Sequence, residues 1–177
     1  MQRIVVVGTS GSGKSTLART LAQKLNLQYI EMDAVHWMAG WQSRPDADIR
    51  ARLLELTGQP RWVIDGNYLK YSDISWARAD TIIWLDYPMS MTFVRVTKRT
   101  FARWWRNELL WGCNRETLYG QFLSKDSLFL WVINTWRKNR RDLPKRLQQA
   151  RLAGKQTYRL RSQRETDELL NSVSPNP

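Results

Sequence analysis

A glycine-rich loop near the start of the chain constrains the fold more than any other feature. Residues 8–15 read Gly-Thr-Ser-Gly-Ser-Gly-Lys-Ser and fit the pattern G-x-x-x-x-G-K-S/T. A β-branched run, residues 3–7, precedes the loop and reads as a buried strand, while Leu17, Leu21 and Leu25 recur at helical spacing after it. A strand, a glycine-rich loop and a helix in this order are the structural context in which this pattern is expected. The sequence therefore predicts an α/β domain organised around this loop.

The residue types of this loop indicate binding of a nucleoside triphosphate. Its glycines let the backbone bend tightly and approach a ligand closely. The N–H groups at the start of the following helix form a nest where the helix dipole favours phosphate. Lys14 can reach the β- and γ-phosphates, and the Ser15 hydroxyl can bind Mg²⁺. We expect the nucleotide to contact these residues of the loop: Gly8, Ser10, Gly11, Ser12, Gly13, Lys14, Ser15 and Thr16.

Three acidic residues stand at the ends of apolar runs that read as the second, third and fourth strands. They are Asp33, Asp65 and Asp86. Because ligands bind at the carboxyl ends of parallel strands, Asp33 is expected to hold an acceptor hydroxyl or a metal-bound water. Asp65 and Asp86 both resemble the acid that binds Mg²⁺ beside the loop serine. Asp65, which precedes Gly66, is preferred, with Asp86 as the alternative, so Ser15 and Asp65 are the predicted Mg²⁺ ligands, directly or through water.

Residues 33–60 are predicted to form an acceptor flap between the second and third strands, not a separate domain. Its first part, residues 33–41, is expected to be an irregular loop with an acid, an imidazole and two indoles. A helix is expected to begin at Pro45 and to end near Thr57. His36 is the sole histidine, and the sequence leaves open whether it is catalytic or structural.

Arginines line one face of a predicted helix that Ser90 caps and that ends near Arg106. Arg95, Arg99, Arg103 and Arg106 stand four, four and three residues apart, which places them on one face. With a nucleotide site nearby, we expect these arginines to bind phosphate, and a solvated basic face is the alternative. The inward sides of the same helix are expected to carry Phe93, Val94, Val96, Phe101 and Trp104.

The C-terminal third is predicted to contain a lid and the last strand of the sheet. Residues 107–126 are the least regular part of the chain and form the expected lid segment. A helix from Ser127 is expected to break near Asp142, because Pro144 interrupts backbone hydrogen bonding, and to restart until Leu152. The remaining predicted elements are a strand over Gln156–Leu160, a helix over Gln163–Ser172 and a flexible tail over residues 173–177.

Length and composition limit the class of protein. With 177 residues, the chain is long enough for one domain with its own core, and no linker or repeat divides it. The longest apolar run is far too short to span a membrane, and we expect no signal peptide, because the first predicted strand begins at residue 2 or 3. The single cysteine, Cys113, cannot form an internal disulfide. We therefore expect a cytoplasmic protein, and its oligomeric state stays open.

Two features of the composition are unusual, namely a net charge of +12 and ten tryptophans. A basic protein attracts polyanions, and aromatic residues beside arginines can stack bases. Non-specific binding of nucleic acid is therefore one expectation. The alternative is a basic rim around a phosphate site together with a tryptophan-rich core. The clustering of positive charge after residue 94 favours this alternative.

Several motifs resemble those of known P-loop kinases. The chain resembles the adenylate kinase-like group of nucleoside-monophosphate kinases in its glycine-rich loop, in residues 64–66 (Ile-Asp-Gly) and in residues 79–88 with the arginine-bearing helix after them. It is similar to the small P-loop proteins called DNA topology modulation proteins in residues 32–37, 62–68 and 160–165. The resemblance covers nearly the whole chain. It implies a three-layer α/β P-loop NTPase fold: a five-stranded parallel sheet of order 2-3-1-4-5, flanked by helices, with a small lid.

The resemblance also implies ATP as the nucleotide, Mg²⁺ as the cofactor and phosphoryl transfer to a small nucleotide-like or hydroxyl-bearing acceptor. Arg95 corresponds to the arginine over adenine and Arg99 to an arginine on phosphate. Arg137 and Arg141 correspond to arginines at the exit of the lid. Taken together with the residues above, the set expected to be catalytic is Lys14, Asp33, Asp65, Arg99, Arg137 and Arg141.

One departure from the adenylate kinase pattern leaves the acceptor open. Those enzymes follow Asp-Gly with a Pro-Arg pair that helps to hold AMP, whereas this chain has Asn67 and Tyr68 there. Two other functions compete with the kinase. One is a nucleotide-gated DNA-binding regulator that uses the arginine- and tryptophan-rich residues 95–141, and the other is a plain NTPase whose acceptor is water. The sequence shows no helix-turn-helix, zinc finger or other groove-reading element, which favours the kinase.

Overall fold

The computed structural model describes residues 1–106, 109–111, 114–115 and 128–174. Strands and helices alternate along most of this chain, which is typical of a parallel α/β sheet. In chain order the elements are β1 (Arg3–Gly8), α1 (Lys14–Leu25), β2 (Gln28–Glu31), α2 (Met32–His36), a 3₁₀ turn (Ala39–Trp41), α3 (Asp46–Leu56), β3 (Trp62–Asp65), a second 3₁₀ turn (Leu69–Tyr71), α4 (Ser72–Arg78), β4 (Thr81–Leu85), α5 (Met89–Trp105), β5 (Leu109–Leu110), β6 (Asn114–Arg115), α6 (Leu128–Leu152), β7 (Gln156–Leu160) and α7 (Gln163–Ser172).

Five parallel strands form the central sheet, in the order β2-β3-β1-β4-β7. Since β7 is the fifth strand to join this sheet, the order corresponds to the predicted 2-3-1-4-5. Its label differs because β5 and β6, which were not predicted, pair antiparallel with each other outside the sheet. The central strands β1, β3 and β4 are buried along almost their whole length, which explains their continuous apolar runs.

Helices cover both faces of the sheet. On one face, α1 and α7 contribute Leu17, Leu21 and Leu169 to a core that includes alternate residues of β1. On the other face, α3, α4 and α6 share a second core, in which Trp62 and Trp84 are almost fully buried. Burying one large aliphatic side chain in such a core stabilises the fold by about 1.5–3 kcal/mol. The predicted three-layer α/β fold class is confirmed.

The register of the strands brings polar residues together at one edge of the sheet. Glu31 of β2 and Val6 of β1 both pair with Asp65 of β3, and Gly8 pairs with Leu85 of β4. Because all strands are parallel, their carboxyl ends lie at the same edge, where the glycine-rich loop follows β1 and α2 follows β2. A ligand of the loop must therefore bind within reach of the ends of β2, β3 and β4.

Two segments are more helical than the sequence predicted. Asp33 lies just beyond the end of β2, but residues 33–41 form most of α2 and a 3₁₀ turn instead of an irregular loop, because α2 packs against α3. The helix α6 continues through Pro144, where a break was predicted. Leu143 and Leu147 are buried in the core on either side of the proline. This packing outweighs the loss of one backbone hydrogen bond.

Of the five apolar residues of α5 that were predicted to face inward, Val96 is buried and the other four are exposed. The helix begins at Met89, without a side-chain cap from Ser90. Its buried stripe is formed by Thr92, Val96 and Thr100, and the last two each follow an arginine. The arginines therefore lie at the border of the packed side of the helix, and the other bulky apolar residues point outward. Four residues are 37 to 53 % exposed to solvent, namely Phe93, Val94, Phe101 and Trp104.

The predicted lid, residues 107–126, and the predicted tail, residues 173–177, are described only in part. Residues 109–111 and 114–115 include the β5–β6 pair. The rest of the lid and the tail beyond Ser174 lie outside the described residues. No helix of the described part is long and apolar enough to cross a bilayer.

A buried carboxylate ties the end of β4 to α6 and β7. Asp86, whose side chain is 2 % exposed, accepts hydrogen bonds from Arg140 (2.9 Å) and from Arg159 (2.7 Å). The guanidinium groups of the two arginines also lie over the rings of Trp136 and Trp84. Asp86 is thus engaged in holding three elements of the fold together.

We predict that Asp86→Ala lowers the free energy of unfolding by about 2–3 kcal/mol, since both arginines lose their acceptor. Urea unfolding followed by circular dichroism measures the change. Asp142→Ala is the matched control, because Asp142 pairs with Arg141 on the surface, and its unfolding midpoint should stay close to that of the parent protein. Equal destabilisation in the two variants would contradict the structural role of Asp86.

Candidate active site

The glycine-rich loop has three glycines in backbone conformations that other residues rarely adopt. Gly8, Gly11 and Gly13 have φ angles of +152°, +78° and +94°. A Cβ atom on Gly8 would lie 2.7 Å from the Leu85 carbonyl oxygen, and one on Gly11 would lie 2.5 Å from the Thr92 carbonyl oxygen. The loop is therefore packed tightly against the end of β4 and against α5. Only glycine allows this approach, which brings α5 over the loop.

Lys14 and Ser15 begin α1 and lie beside the buried Asp65. The Lys14 ammonium donates a hydrogen bond to the Thr9 carbonyl oxygen (3.0 Å), and burial lowers the Lys14 pKa, although Asp65 and Asp33 oppose this effect. Burial raises the pKa of Asp65, whereas its interactions with the Ser15 hydroxyl and with Lys14 lower it. One carboxylate oxygen of Asp65, Oδ1, is buried without a hydrogen-bond partner. A bare carboxylate oxygen beside a hydroxyl suits a hard divalent cation.

The described residues include no group of three His, Cys, Asp or Glu side chains that could hold a metal ion by themselves. This arrangement fits Mg²⁺, which keeps several waters and takes one or two protein ligands together with phosphate oxygens. Ser15 and Asp65 would supply those ligands. Asp86, the alternative, is engaged by Arg140 and Arg159 and does not line either of the two cavities described below.

A first cavity, of about 480 Å³, opens beside the loop between α5 and α7. The guanidinium of Arg95 lies over the Tyr87 ring, 5.3 Å from its centroid, and donates a hydrogen bond to Gln163 Oε1 (3.2 Å). Arg95 is thereby held in the wall of this cavity, where the resemblance implies adenine. The other polar residues that the two helices contribute are Arg99, Arg103 and Thr166.

A second cavity, of about 600 Å³, lies between the flap and α6. Asp33 lies in its wall, and the Tyr68 hydroxyl donates a hydrogen bond to Asp33 Oδ1 (2.7 Å). The Tyr68 hydroxyl also interacts with Trp37, and burial, reinforced by the Asp33 carboxylate, raises the Tyr68 pKa. The phenol therefore stays protonated and orients the Asp33 carboxylate.

His36 also lines the second cavity. Its Nε2 lies 3.2 Å from Ser43 Oγ, and its ring meets the Trp37 ring edge-on, with 4.6 Å between centroids. Burial lowers the His36 pKa, so the imidazole is neutral near pH 7. A neutral ring packed among aromatic side chains shapes the cavity.

One residue beside the β5–β6 pair, Trp111, forms a further part of the wall of the second cavity. Trp111, which follows β5, donates a hydrogen bond from Nε1 to Glu31 Oε1 (3.1 Å). The buried Asn114 side chain accepts from the Trp41 backbone N–H (2.8 Å) and donates to the Met38 carbonyl oxygen (2.9 Å). This part of the predicted lid is therefore docked on the flap and on the end of β2.

The two cavities meet at the start of α1. The residues that line both cavities are Lys14, Ser15, Glu31, Arg99 and Arg103. Glu31 also accepts a hydrogen bond from Arg19 (3.1 Å), so its charge is compensated locally. One lysine and two arginines thus concentrate positive charge at the junction, which suits a group with several negatively charged oxygens.

Two of the predicted catalytic residues, Arg137 and Arg141, line neither of the two cavities. Arg141 pairs with Asp142 on the surface. The register of α6 turns other side chains, at helical spacing, toward the second cavity, and a catalytic role of Arg137 and Arg141 stays a prediction. The side chains of α6 that line this cavity are Trp131, Thr135, Lys138 and Asn139.

Sequence reasoning gave no role to three residues that complete the site, namely Tyr68, Trp111 and Asn139. The position of Tyr68, three residues after Asp65, was the only local signal among them. Asn139 accepts a hydrogen bond from Asn67 Nδ2 (2.8 Å), and its own Nδ2 lies 3.4 Å from Thr9 Oγ1. Asn139 therefore links α6 to the glycine-rich loop and to the segment after β3.

Comparison of the sequence with known proteins identifies a family. Residues 4–119, more than half of the chain, match the family described as AAA domain. The uncharacterized protein YqaC of Bacillus subtilis (strain 168) is similar to this chain, with 28 % identity over 130 residues. The match covers 72 % of this chain and 72 % of that protein.

Two solved structures have the same fold over nearly the whole chain. A gluconokinase from Sinorhizobium meliloti 1021 gives a TM-score of 0.54 at 19 % identity and covers 98 % of this chain and 93 % of that one. A shikimate kinase from Acinetobacter baumannii in complex with shikimate gives a TM-score of 0.54 at 18 % identity, with coverage of 97 % and 89 %. Sequence identities this low show that the fold is shared and nothing more. The chain belongs to the AAA domain family and has the fold of P-loop kinases.

Proposed function

We propose that this protein is a Mg²⁺- and ATP-dependent phosphotransferase that acts on a hydroxyl group of a small acceptor. One observation carries the proposal, namely that the two cavities share Lys14, Ser15 and Arg99 at their junction. A nucleotide in the first cavity would place its terminal phosphate where an acceptor in the second cavity can reach it. A plain NTPase would need only the first of these cavities.

The first cavity supplies what binding of ATP requires. The loop N–H groups and the N-terminus of α1 receive the phosphates, and Arg95 lies where the base would bind. Ser15 and Asp65 would hold Mg²⁺, which would add positive charge beside the phosphate oxygens. Lys14 and Arg99 stabilise the charge that spreads over the phosphoryl group during transfer. Positioning and charge stabilisation account for nearly all of the catalysis in this class of reaction.

Asp33 orients the acceptor and receives its proton. The acceptor oxygen attacks the γ-phosphorus and forms a new O–P bond, while the bond from the γ-phosphorus to the bridging oxygen of ADP breaks. The hydroxyl proton passes to the Asp33 carboxylate, and ADP leaves with the electron pair of the broken bond. Tyr68 keeps the carboxylate in place through its hydrogen bond of 2.7 Å.

The structural neighbours support a small, hydroxyl-bearing acceptor. They are named as a gluconokinase and as a shikimate kinase in complex with shikimate. Their fold is that of this chain, whose second cavity lies at the same edge of the sheet as the glycine-rich loop. Neither gluconate nor shikimate is proposed as the substrate, since identities of 18 and 19 % do not carry specificity.

A nucleic-acid-binding regulator, the role that the name DNA topology modulation protein implies, is the second candidate. One surface favours it, because Phe101, Trp104 and Trp105 of α5 are exposed and in ring contact on a protein with a net charge of +12. Exposed aromatic rings beside basic side chains can stack unpaired bases. Among the described residues, however, this surface lines neither cavity, so it does not explain the junction between them.

The proposal is tested by screening phosphoryl transfer from ATP to small hydroxyl compounds, with DNA binding measured in parallel at about 150 mM salt. We expect ADP formation that depends on the acceptor, and weak DNA binding that nucleotide does not change. Tight, nucleotide-dependent DNA binding without a phosphorylated product would reverse the order of the two candidates. ATP hydrolysis that no acceptor accelerates would leave only the NTPase.

The Lys14→Ala variant should lose turnover by about 100-fold or more, because the transferred phosphoryl group loses its nearest cation. Steady-state assays of ADP formation measure the loss, and calorimetry with a non-hydrolysable ATP analogue should show weaker binding. Lys24→Ala is the control, since Lys24 lies at the far end of α1 and donates to the Leu170 carbonyl oxygen. A folded Lys14→Ala protein with normal turnover would refute the assignment of the loop.

The Asp33→Asn variant should lower kcat by about 100-fold, because the amide cannot accept the acceptor proton. Its affinity for the ATP analogue should stay unchanged, since Asp33 lines only the second cavity. Asp73→Asn serves as the control, because Asp73 pairs with Arg50 on the surface. Loss of ATP-analogue binding in Asp33→Asn, or an unchanged kcat, would contradict the role of this carboxylate.

The Asp65→Asn variant should raise the Mg²⁺ concentration needed for half-maximal turnover by about tenfold or more. The physical reason is that the amide cannot replace an anionic ligand beside Ser15. Asp86→Asn, compared at equal concentrations of folded protein, should keep the Mg²⁺ requirement of the parent. The opposite ranking in Mg²⁺ titrations would transfer the metal to Asp86.

A further inference from the structure

Aromatic side chains line the second cavity in an unbroken series of ring contacts. The ring centroids of Tyr68 and His36 lie 4.8 Å apart, and those of His36 and Trp37 lie 4.6 Å apart. The series continues from Trp37 to Trp41 (5.7 Å) and from Trp41 to Trp111 (5.6 Å). All five residues line the cavity, and α6 adds one more indole. Such a wall favours a flat, polarizable ligand that can stack against it or meet it edge-on.

Several polar groups of the same cavity are already engaged within the protein. Glu31 accepts hydrogen bonds from an arginine of α1 and from the Trp111 indole. The Tyr68 hydroxyl donates to Asp33, and Lys70 forms an ion pair with a carboxylate of α3. The hydroxyl groups of a polyol that lie against the indole rings would have no partner there, which opposes binding for each such group. The indole wall therefore disfavours a polyol and favours a ring.

Besides Asp65 Oδ1, which is assigned above to the metal, two further buried polar atoms of the cavity residues have no hydrogen-bond partner within the described part of the chain. They are His36 Nδ1 and Asn67 Oδ1. Asn67 Oδ1 can accept from an N–H group, and His36 Nδ1 can donate or accept, depending on which ring nitrogen carries the proton. The edge of a nitrogen heterocycle presents both kinds of group. Asp33, in the same cavity, is available for a hydroxyl.

We propose that the acceptor is a nucleoside: a heteroaromatic ring that packs against the indoles and carries, on its sugar, the hydroxyl that reacts at Asp33. This inference rests on the proposed phosphotransfer and names the class of its acceptor. The cavity volume of about 600 Å³ lies within the range that holds drug-sized ligands, so a ring and a sugar fit together. Stacking supplies most of the recognition and tolerates different bases, because every base has a π-face.

The direct test measures binding to the protein saturated with Mg²⁺ and a non-hydrolysable ATP analogue. Calorimetry compares adenosine, guanosine, cytidine and uridine with D-gluconate, shikimate and D-glucose, and phosphorus NMR follows phosphorylation of each compound by ATP. We expect at least one nucleoside to bind about tenfold tighter than every polyol and to become phosphorylated. A polyol that binds more tightly than the nucleosides would overturn the inference and leave the proposed function standing. Failure of both classes to bind would also overturn it, whereas failure of the ATP analogue to bind would contradict the proposed function itself.

Variants at Trp41 test whether the series of rings binds the nucleoside. Trp41→Ala removes the ring that joins Trp37 to Trp111 in the series and should raise the KM for the nucleoside about tenfold or more, with a smaller change in kcat and an unchanged KM for ATP. Trp41→Phe keeps a ring and should restore most of the affinity. Trp105→Ala is the matched control, because Trp105 is 75 % exposed on α5 and, within the described chain, lines neither cavity. An unchanged nucleoside KM in a folded Trp41→Ala protein, or an equal loss in Trp105→Ala, would overturn the inference.

Discussion

The close packing of the glycine-rich loop against α5 is the constraint on which the rest of the site depends. A side chain at Gly11 would lie 2.6 Å from the Val96 side chain, so only glycine lets the helix come this near. Because Val96 and Thr100 are buried against this side, the arginines that precede them face the phosphate-binding surface. The close contact between the loop backbone and α5 thus places the arginine side chains where the phosphates of a nucleotide would lie.

The acceptor side is built differently, from segments that are distant in the sequence. Asp33 comes from α2, Trp37 directly follows α2, Tyr68 comes from the segment after β3, and Trp111 directly follows β5. The side chains of all four converge on one cavity. Gly66 makes part of this convergence possible, since its φ of +142° and the lack of a Cβ let the chain pass close to Met32. A hydrogen bond orients one carboxylate, while a series of rings lines another part of the wall. This division suits a reaction that needs one positioned hydroxyl on a ring-bearing body.

The sheet, the loop and most helices could be predicted because each carries a local signal, such as a buried apolar run, a glycine pattern or helical spacing. The β5–β6 pair could not, since two residues per strand leave no periodicity and Asn114 contacts Trp41 across 73 positions of the chain. Which residues of α6 face the second cavity could not be predicted, because a shift of one or two positions on a helix changes the face that a side chain occupies. The break predicted at Pro144 was wrong for another reason. Tertiary packing of the helix outweighs the tendency of proline to end a helix, and the local sequence does not report such packing.

The central claim is that one junction of two cavities transfers a phosphoryl group to an organic hydroxyl. The most direct measurement follows ATP labelled at the γ-phosphate, with Mg²⁺ and a pool of nucleosides and small polyols, and separates the labelled products. The account predicts label in an organic phosphate ester, formed at a rate that depends on the acceptor and that is lost in Asp33→Asn. Label found solely in inorganic phosphate, at a rate that no acceptor changes, would contradict it.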